Sequence, residues 1–133
     1  MKAKLAEFYG GYATEAETAA TIKKVYESDD YIIDTHTAVA SAVCRKLMPA
    51  RKAEDMPVVV ASTASPFKFA RSVMQAVTGM ESEKDDFELI KELSAAGNVE
   101  IPQAIGEIVN AQIRHSKNIS VSEMKAAVEE FLQ

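Results

Sequence analysis

PVVVASTASPFKF, residues Pro57–Phe69, is the stretch that decides the fold. Pro57 opens it, and Val58, Val59, Val60 and Ala61 follow with no polar interruption. Strands with one wet face alternate apolar and polar residues, whereas strands covered on both faces, as in parallel sheets, run continuously apolar. The run therefore predicts a buried strand at 57–61. Ser62-Thr63-Ala64-Ser65-Pro66 comes next, at the carboxyl end of that strand. Ser65 carries the hydroxyl of a helix N-cap, and Pro66 suits a first helical position, where no N–H partner is needed. Phe67, Phe69, Val73, Met74 and Val77 then line a helix that Gly79 ends.

Upstream, Tyr31-Ile32-Ile33 predicts a second, short strand. Asp34-Thr35-His36-Thr37 precedes the alanine-rich run AVASAVCRKLM, which predicts a helix closed by Pro49 and followed by the polar loop RKAED. Strand, helix and strand across residues 31–61 make a βαβ unit, whose crossover is expected to be right-handed. The fold expectation is α/β: helix-rich around a short parallel βαβ unit, with strands near 31–33 and 57–61.

Further out, the patterns are helical. Thr14 to Glu17 reads TEAE, a capping box, and a helical period continues from it to about Ser28, where Asp29 and Asp30 break it. Glu81 to Asp86 forms an acidic, solvated loop. Phe87, Ile90 and Leu93 share a helix face stopped by Gly97-Asn98, and Pro102 starts another turn through Ile105, Ile108 and Val109. Ser120-Val121-Ser122-Glu123 is a second capping box, leading into a helix with Met124, Ala127, Val128, Phe131 and Leu132. No repeat, linker or low-complexity tract interrupts residues 1–133, which read as a single domain.

Composition narrows the function classes. With 47% hydrophobic and 26% charged residues, the 133-residue chain is a globular domain rather than a disordered tail. Its net charge of −5 and the absence of a basic stripe argue against nucleic acid as a partner. A single cysteine, Cys44, excludes an internal disulfide and reads as a small buried hydrophobe. The opening MKAKLAEFYGG lacks the apolar run of a signal peptide, and no stretch has the length of a membrane span. A cytoplasmic location without membrane partners is the resulting expectation.

In open α/β sheets, ligands bind beyond the carboxyl ends of strands, near helix N-termini. Two hydroxyl-rich turns answer that description, Asp34 to Thr37 and Ser62 to Ser65. Parallel strands would deliver both to one rim. The bland alternative is that Thr35 and Ser65 merely cap helices. His36 is the one histidine at either turn. Its neighbour Asp34 could orient it, but adjacent residues of a strand point to opposite faces, and local hydrogen bonding at a helix start is the reading the residues favour for His36. His115 lies in a polar stretch and reads as a surface residue. No spacing of His, Cys and carboxylates matches a metal site, and neither a nucleophile elbow nor a P-loop is present.

FYGGYATEAET at Phe8–Thr18, YIIDTHTAVA at Tyr31–Ala40 and PVVVASTASPFKF at Pro57–Phe69 resemble, in order and separation, the C-terminal third of threonine synthases. IPQAI at Ile101–Ile105 and the closing helix look like that family's tail. The resemblance implies a segment of a fold type II, pyridoxal 5'-phosphate (PLP) enzyme that converts O-phospho-L-homoserine and water to L-threonine and phosphate. In that family the cofactor is held by a lysine in the earlier part of the enzyme, where the phosphate loop also lies. Neither is recognisable here, and Lys68 falls in the first turns of a helix instead. The isolated chain is expected to lack catalytic residues, to hold no PLP covalently, to be inactive alone, and to need the N-terminal remainder of the enzyme as its partner. A face cut away from that remainder invites non-physiological self-association.

The resemblance further implies that a hydroxyl after the buried strand contacts the pyridine nitrogen, with Thr63 the first choice and Ser62 the second. His36 and Thr37 would line the same pocket. A neutral hydroxyl, unlike a carboxylate, does not force that nitrogen to stay protonated. A stand-alone binding or interaction module that kept the fold without the chemistry is the competing reading.

Overall fold

The computed structural model describes residues 8–48 and 57–133. Six α-helices follow one another among them: α1 Glu15–Asp29, α2 Thr35–Leu47, α3 Ala70–Thr78, α4 Asp86–Gly97, α5 Gln103–Val109 and α6 Met124–Phe131. Short 3-10 turns at Pro66–Phe69 and Val121–Glu123 lead into α3 and α6.

Local chemistry sets the helix ends. The Thr14 hydroxyl accepts from Glu17 N at 3.3 Å while Glu17 reaches back to Thr14 N at 2.8 Å, which completes the anticipated capping box of α1. Asp30 stops α1 in the left-handed region at φ 50°. Gly79 ends α3 at φ 74°, a conformation glycine adopts without a Cβ penalty. Asp85 and Glu88 form a further box at the start of α4, and Asn98 closes that helix at φ 47°.

The core lies between α1, α3 and α4. Ile22, Val73, Leu89 and Leu93 are almost wholly buried, and Ile32, Ile33, Ala38, Phe67 and Ala70 join them. Helix α1 packs on both α2 and α3, and α3 packs on α4. Each fully buried aliphatic side chain of this kind contributes about 1.5–3 kcal/mol. The Tyr26 hydroxyl donates to Ala96 O at 3.3 Å and ties α1 to the end of α4. The acidic loop is not left free in solvent: the Arg71 guanidinium donates to Ser82 O and Lys84 O at 2.7 Å and to Asp86 at 2.8 Å. By contrast, α5 and α6 bury no residue, and Phe131 and Leu132 are 83% and 77% exposed.

The α/β expectation is overturned. Among the described residues there is no strand, so residues 31–33 and 57–61 do not form a βαβ unit. A strand exists through the ladder it shares with a neighbour, and neither segment has one here. Tyr31-Ile32-Ile33 is an irregular connector that drops Ile32 and Ile33 into the helical core. Val58, Val59 and Val60 are 39%, 89% and 36% exposed, so the run read as covered on both faces is open. Pro49 and the loop RKAED lie outside the described residues.

Candidate functional site

The two turns singled out by the sequence do meet, although no sheet brings them together. Asp34 is the N-cap of α2; its Oδ1 accepts from His36 N at 2.8 Å and from Thr37 N at 3.2 Å. That geometry uses the extended backbone of Asp34 and satisfies two of the amides every helix start leaves unpaired. The second carboxylate oxygen, Oδ2, takes a short hydrogen bond from the Thr37 hydroxyl. Ser62, arriving from the irregular Pro57–Ala61 segment, brings its Oγ to 2.9 Å from Thr37 Oγ1 and 3.5 Å from Asp34 Oδ2. Asp34 and Thr37 are buried, while Ser62 stands at the exposed edge.

Burial by itself would raise the Asp34 carboxyl. The Thr37 hydroxyl, the Thr37 and His36 amides and the charge of His36 act the other way and outweigh it, so the group lies below its ordinary value of 3.8. An aspartate so well supplied with donors is a poor proton acceptor at neutral pH, which removes it as a general base.

The expected site residues separate clearly. Thr37 and Ser62 share the hydrogen-bonded cluster. Thr63 is exposed and makes no hydrogen bond among the described residues. The His36 ring is exposed on one side and packs on Phe69 on the other, with centroids 4.9 Å apart and planes at 50°. Its Nδ1 lies 3.5 Å from Asp34 Oδ1. The two can meet because they occupy a helix cap and the second helical residue, not adjacent strand positions. Ser65 does cap the turn at Pro66, accepting from Phe67 N at 3.3 Å, but the cap of α2 is Asp34 and not Thr35. Lys68 is exposed on that 3-10 turn.

Sequence reasoning passed over Asp34 as the centre of the cluster and Phe69 as the partner of His36. The signal for Asp34 was present: aspartate is among the strongest N-cap residues, and it directly precedes Thr35-His36-Thr37. With the His36 and Thr37 amides engaged and a buried carboxylate beside them, this helix start is unfavourable for a phosphate, which would meet like charge. The cluster suits a polar edge that exchanges single hydrogen bonds. Among the described residues no group of His, Cys, Asp and Glu could hold a metal ion, and no helix is long and apolar enough to cross a membrane.

Comparison with known proteins agrees with the motifs. Mouse threonine synthase-like 1 is 41% identical over 71 residues, which cover 53% of this chain and 9% of that protein. The threonine synthase of Schizosaccharomyces pombe is 37% identical over 78 residues, 59% of this chain and 15% of its own length. That of Saccharomyces cerevisiae is 36% identical over 96 residues, 66% of this chain and 19% of its own length. The chain thus spans a small part of these relatives. A family model described as "Threonine synthase, C-terminal" matches residues 37–130, and the chain belongs to that family.

Proposed function

We propose that residues 1–133 act as one C-terminal unit of a cytoplasmic threonine synthase, which turns O-phospho-L-homoserine and water into L-threonine and phosphate with PLP. The observation that carries this reading is the meeting of the two motif turns, Thr37 Oγ1 on Ser62 Oγ at 2.9 Å, within a chain of this family. When bound, PLP supplies an electron sink for the substrate's carbon skeleton. This chain's part is to orient the cofactor's ring edge. Thr63 offers an exposed hydroxyl with no hydrogen-bond partner among the described residues, its neighbour Ser62 joins Thr37 in a polar rim, and the His36 and Phe69 rings pack on one another at the same helix start. The chemistry of these donors fits the nitrogen edge of the ring better than the phosphate, because Asp34 occupies the His36 and Thr37 amides and places a negative charge beside them. The lysine and the anion cradle are then supplied by the remainder of the enzyme, and the segment alone is inactive.

Mixing this chain with the complementary N-terminal piece and assaying phosphate release from O-phosphohomoserine tests the proposal. Turnover is expected only when both pieces and PLP are present. Turnover by this chain alone, or a full-length protein that releases no phosphate, overturns it.

A further inference from the structure

We propose that Asp34 is a positioning residue: it fixes the direction of the hydrogen bonds along Asp34–Thr37–Ser62, so that Ser62 presents the rim with a lone pair and no proton. The inference rests on the reading of the rim as the seat of a cofactor ring. It separates two hydroxyls that the sequence leaves equivalent.

The available protons set the direction. An ionised carboxylate only accepts. Asp34 Oδ1 already accepts the amides of His36 and Thr37, and Oδ2 faces the Thr37 hydroxyl at short range. A threonine hydroxyl has one proton, and the carboxylate is the strongest acceptor within its reach. With that proton on the Asp34 side, Thr37 can meet Ser62 only as an acceptor. The 2.9 Å approach is shaped for Thr37 as donor to Ser62 Oγ, but the one Thr37 proton is held by Asp34 Oδ2, so Ser62 donates inward to Asp34 Oδ2 at 3.5 Å. That bond turns its proton away from the rim. Ser62 therefore cannot donate to an unprotonated ring nitrogen. Thr63 can, since its hydroxyl makes no hydrogen bond among the described residues.

Asp34→Asn is the informative change, because the two carboxylate oxygens have separate tasks. The new amide oxygen can keep the α2 cap in the place of Oδ1, and asparagine caps helices as well as aspartate does. Its NH2 group replaces Oδ2 and donates where Oδ2 accepted. The chain of hydrogen bonds then reverses: Thr37 donates to Ser62, and Ser62 gains a proton facing outward.

Two measurements test this. In the 13C-labelled chain, NMR is expected to show the Thr37 hydroxyl proton coupled across its hydrogen bond to the Asp34 carboxylate carbon. A Thr37 proton directed at Ser62 in the unsubstituted chain overturns the proposal without any variant. In the full-length PLP-loaded enzyme, Thr63→Val is expected to shift the cofactor absorbance maximum. In the Asp34→Asn background that shift is expected to fall by at least half, because Ser62 has become a second donor. An equal shift in both backgrounds overturns the role of Asp34. No shift from Thr63→Val in the unsubstituted enzyme refutes the cofactor reading of the rim instead, and the NMR coupling still judges the direction of the hydrogen bonds.

Discussion

Thr37 Oγ1 and Ser62 Oγ stand 2.9 Å apart, although 25 residues separate them in the chain. The contact joins the first turn of α2 to the end of the Pro57–Ala61 segment, and the Asp34 carboxylate lies beneath both hydroxyls. Polar groups shielded from water are costly when unpaired, and hydrogen bonds to charged groups are worth more than neutral ones.

Thr37→Val follows directly. Valine keeps the branched shape but removes the short bond to Asp34 Oδ2, leaving only the longer approach of Ser62. The expected loss is about 1.5–3 kcal/mol in urea unfolding of the chain. Ser62→Ala, at the exposed edge, should cost less than half as much. Equal costs would show that the cluster is not organised around Thr37.

The same carboxylate gives an acid signature. The folded-state pKa of Asp34 is lowered from 3.8, so its ionised form is favoured by folding. That stabilisation is complete above the unfolded-state pKa and is lost as pH falls from there through the folded-state value. His36 is the titratable group that faces Asp34, at 3.5 Å. Glu17, held down to about 2 by the Lys46 ammonium and the Thr14 amide, contributes to acid sensitivity in the same range. Comparison with Asp34→Asn isolates Asp34: the difference in urea midpoint should be constant between about pH 5 and 7 and shrink below about pH 4. A difference that stays flat down to about pH 2 is incompatible with this account.

Helix ends were legible because they depend on a few neighbouring residues. Thr14 with Glu17, Gly79, Asn98 and Ser120 with Glu123 all end or begin helices as their chemistry dictates. The valine run was misread because continuous apolarity reports what a segment is suited to pack against, not whether that neighbour exists in the same chain. Val59, 89% exposed, illustrates the difference. The site was half legible. Spacing pointed to the two turns, yet a one-residue alternation rule drawn from strands concealed that a cap and its second helical residue, Asp34 and His36, can face each other.

Leucine truncations should report the boundary between core and tail. Leu93 is 1% exposed among Ile90, Leu89 and Ile22, so Leu93→Ala should cost about 2–5 kcal/mol through lost transfer energy and the cavity left behind. Leu132 is 77% exposed after α6, and Leu132→Ala should change the stability of the chain by less than about 0.5 kcal/mol. Urea midpoints of the two variants check this directly. A large cost at Leu132 would mean that the final helix packs on the core in solution.

Added PLP should find no specific site on the isolated chain. Its phosphate needs free N–H groups or cations, and at the α2 start the His36 and Thr37 amides are engaged by Asp34, whose charge repels a dianion. Its aldehyde needs an amine held close by with a lowered pKa. Lys68, the lysine nearest the rim in sequence, is exposed on the 3-10 turn, and Lys46 is tied to Glu17 at 2.7 Å. Reaction with surface lysines should therefore be weak and shared among them. Absorbance near the cofactor's visible band should rise without saturation as PLP is added, and no single Lys→Arg change should abolish it. A saturable band removed by Lys68→Arg alone would place the cofactor's anchor in this segment and refute the proposed division of labour between the two parts of the enzyme.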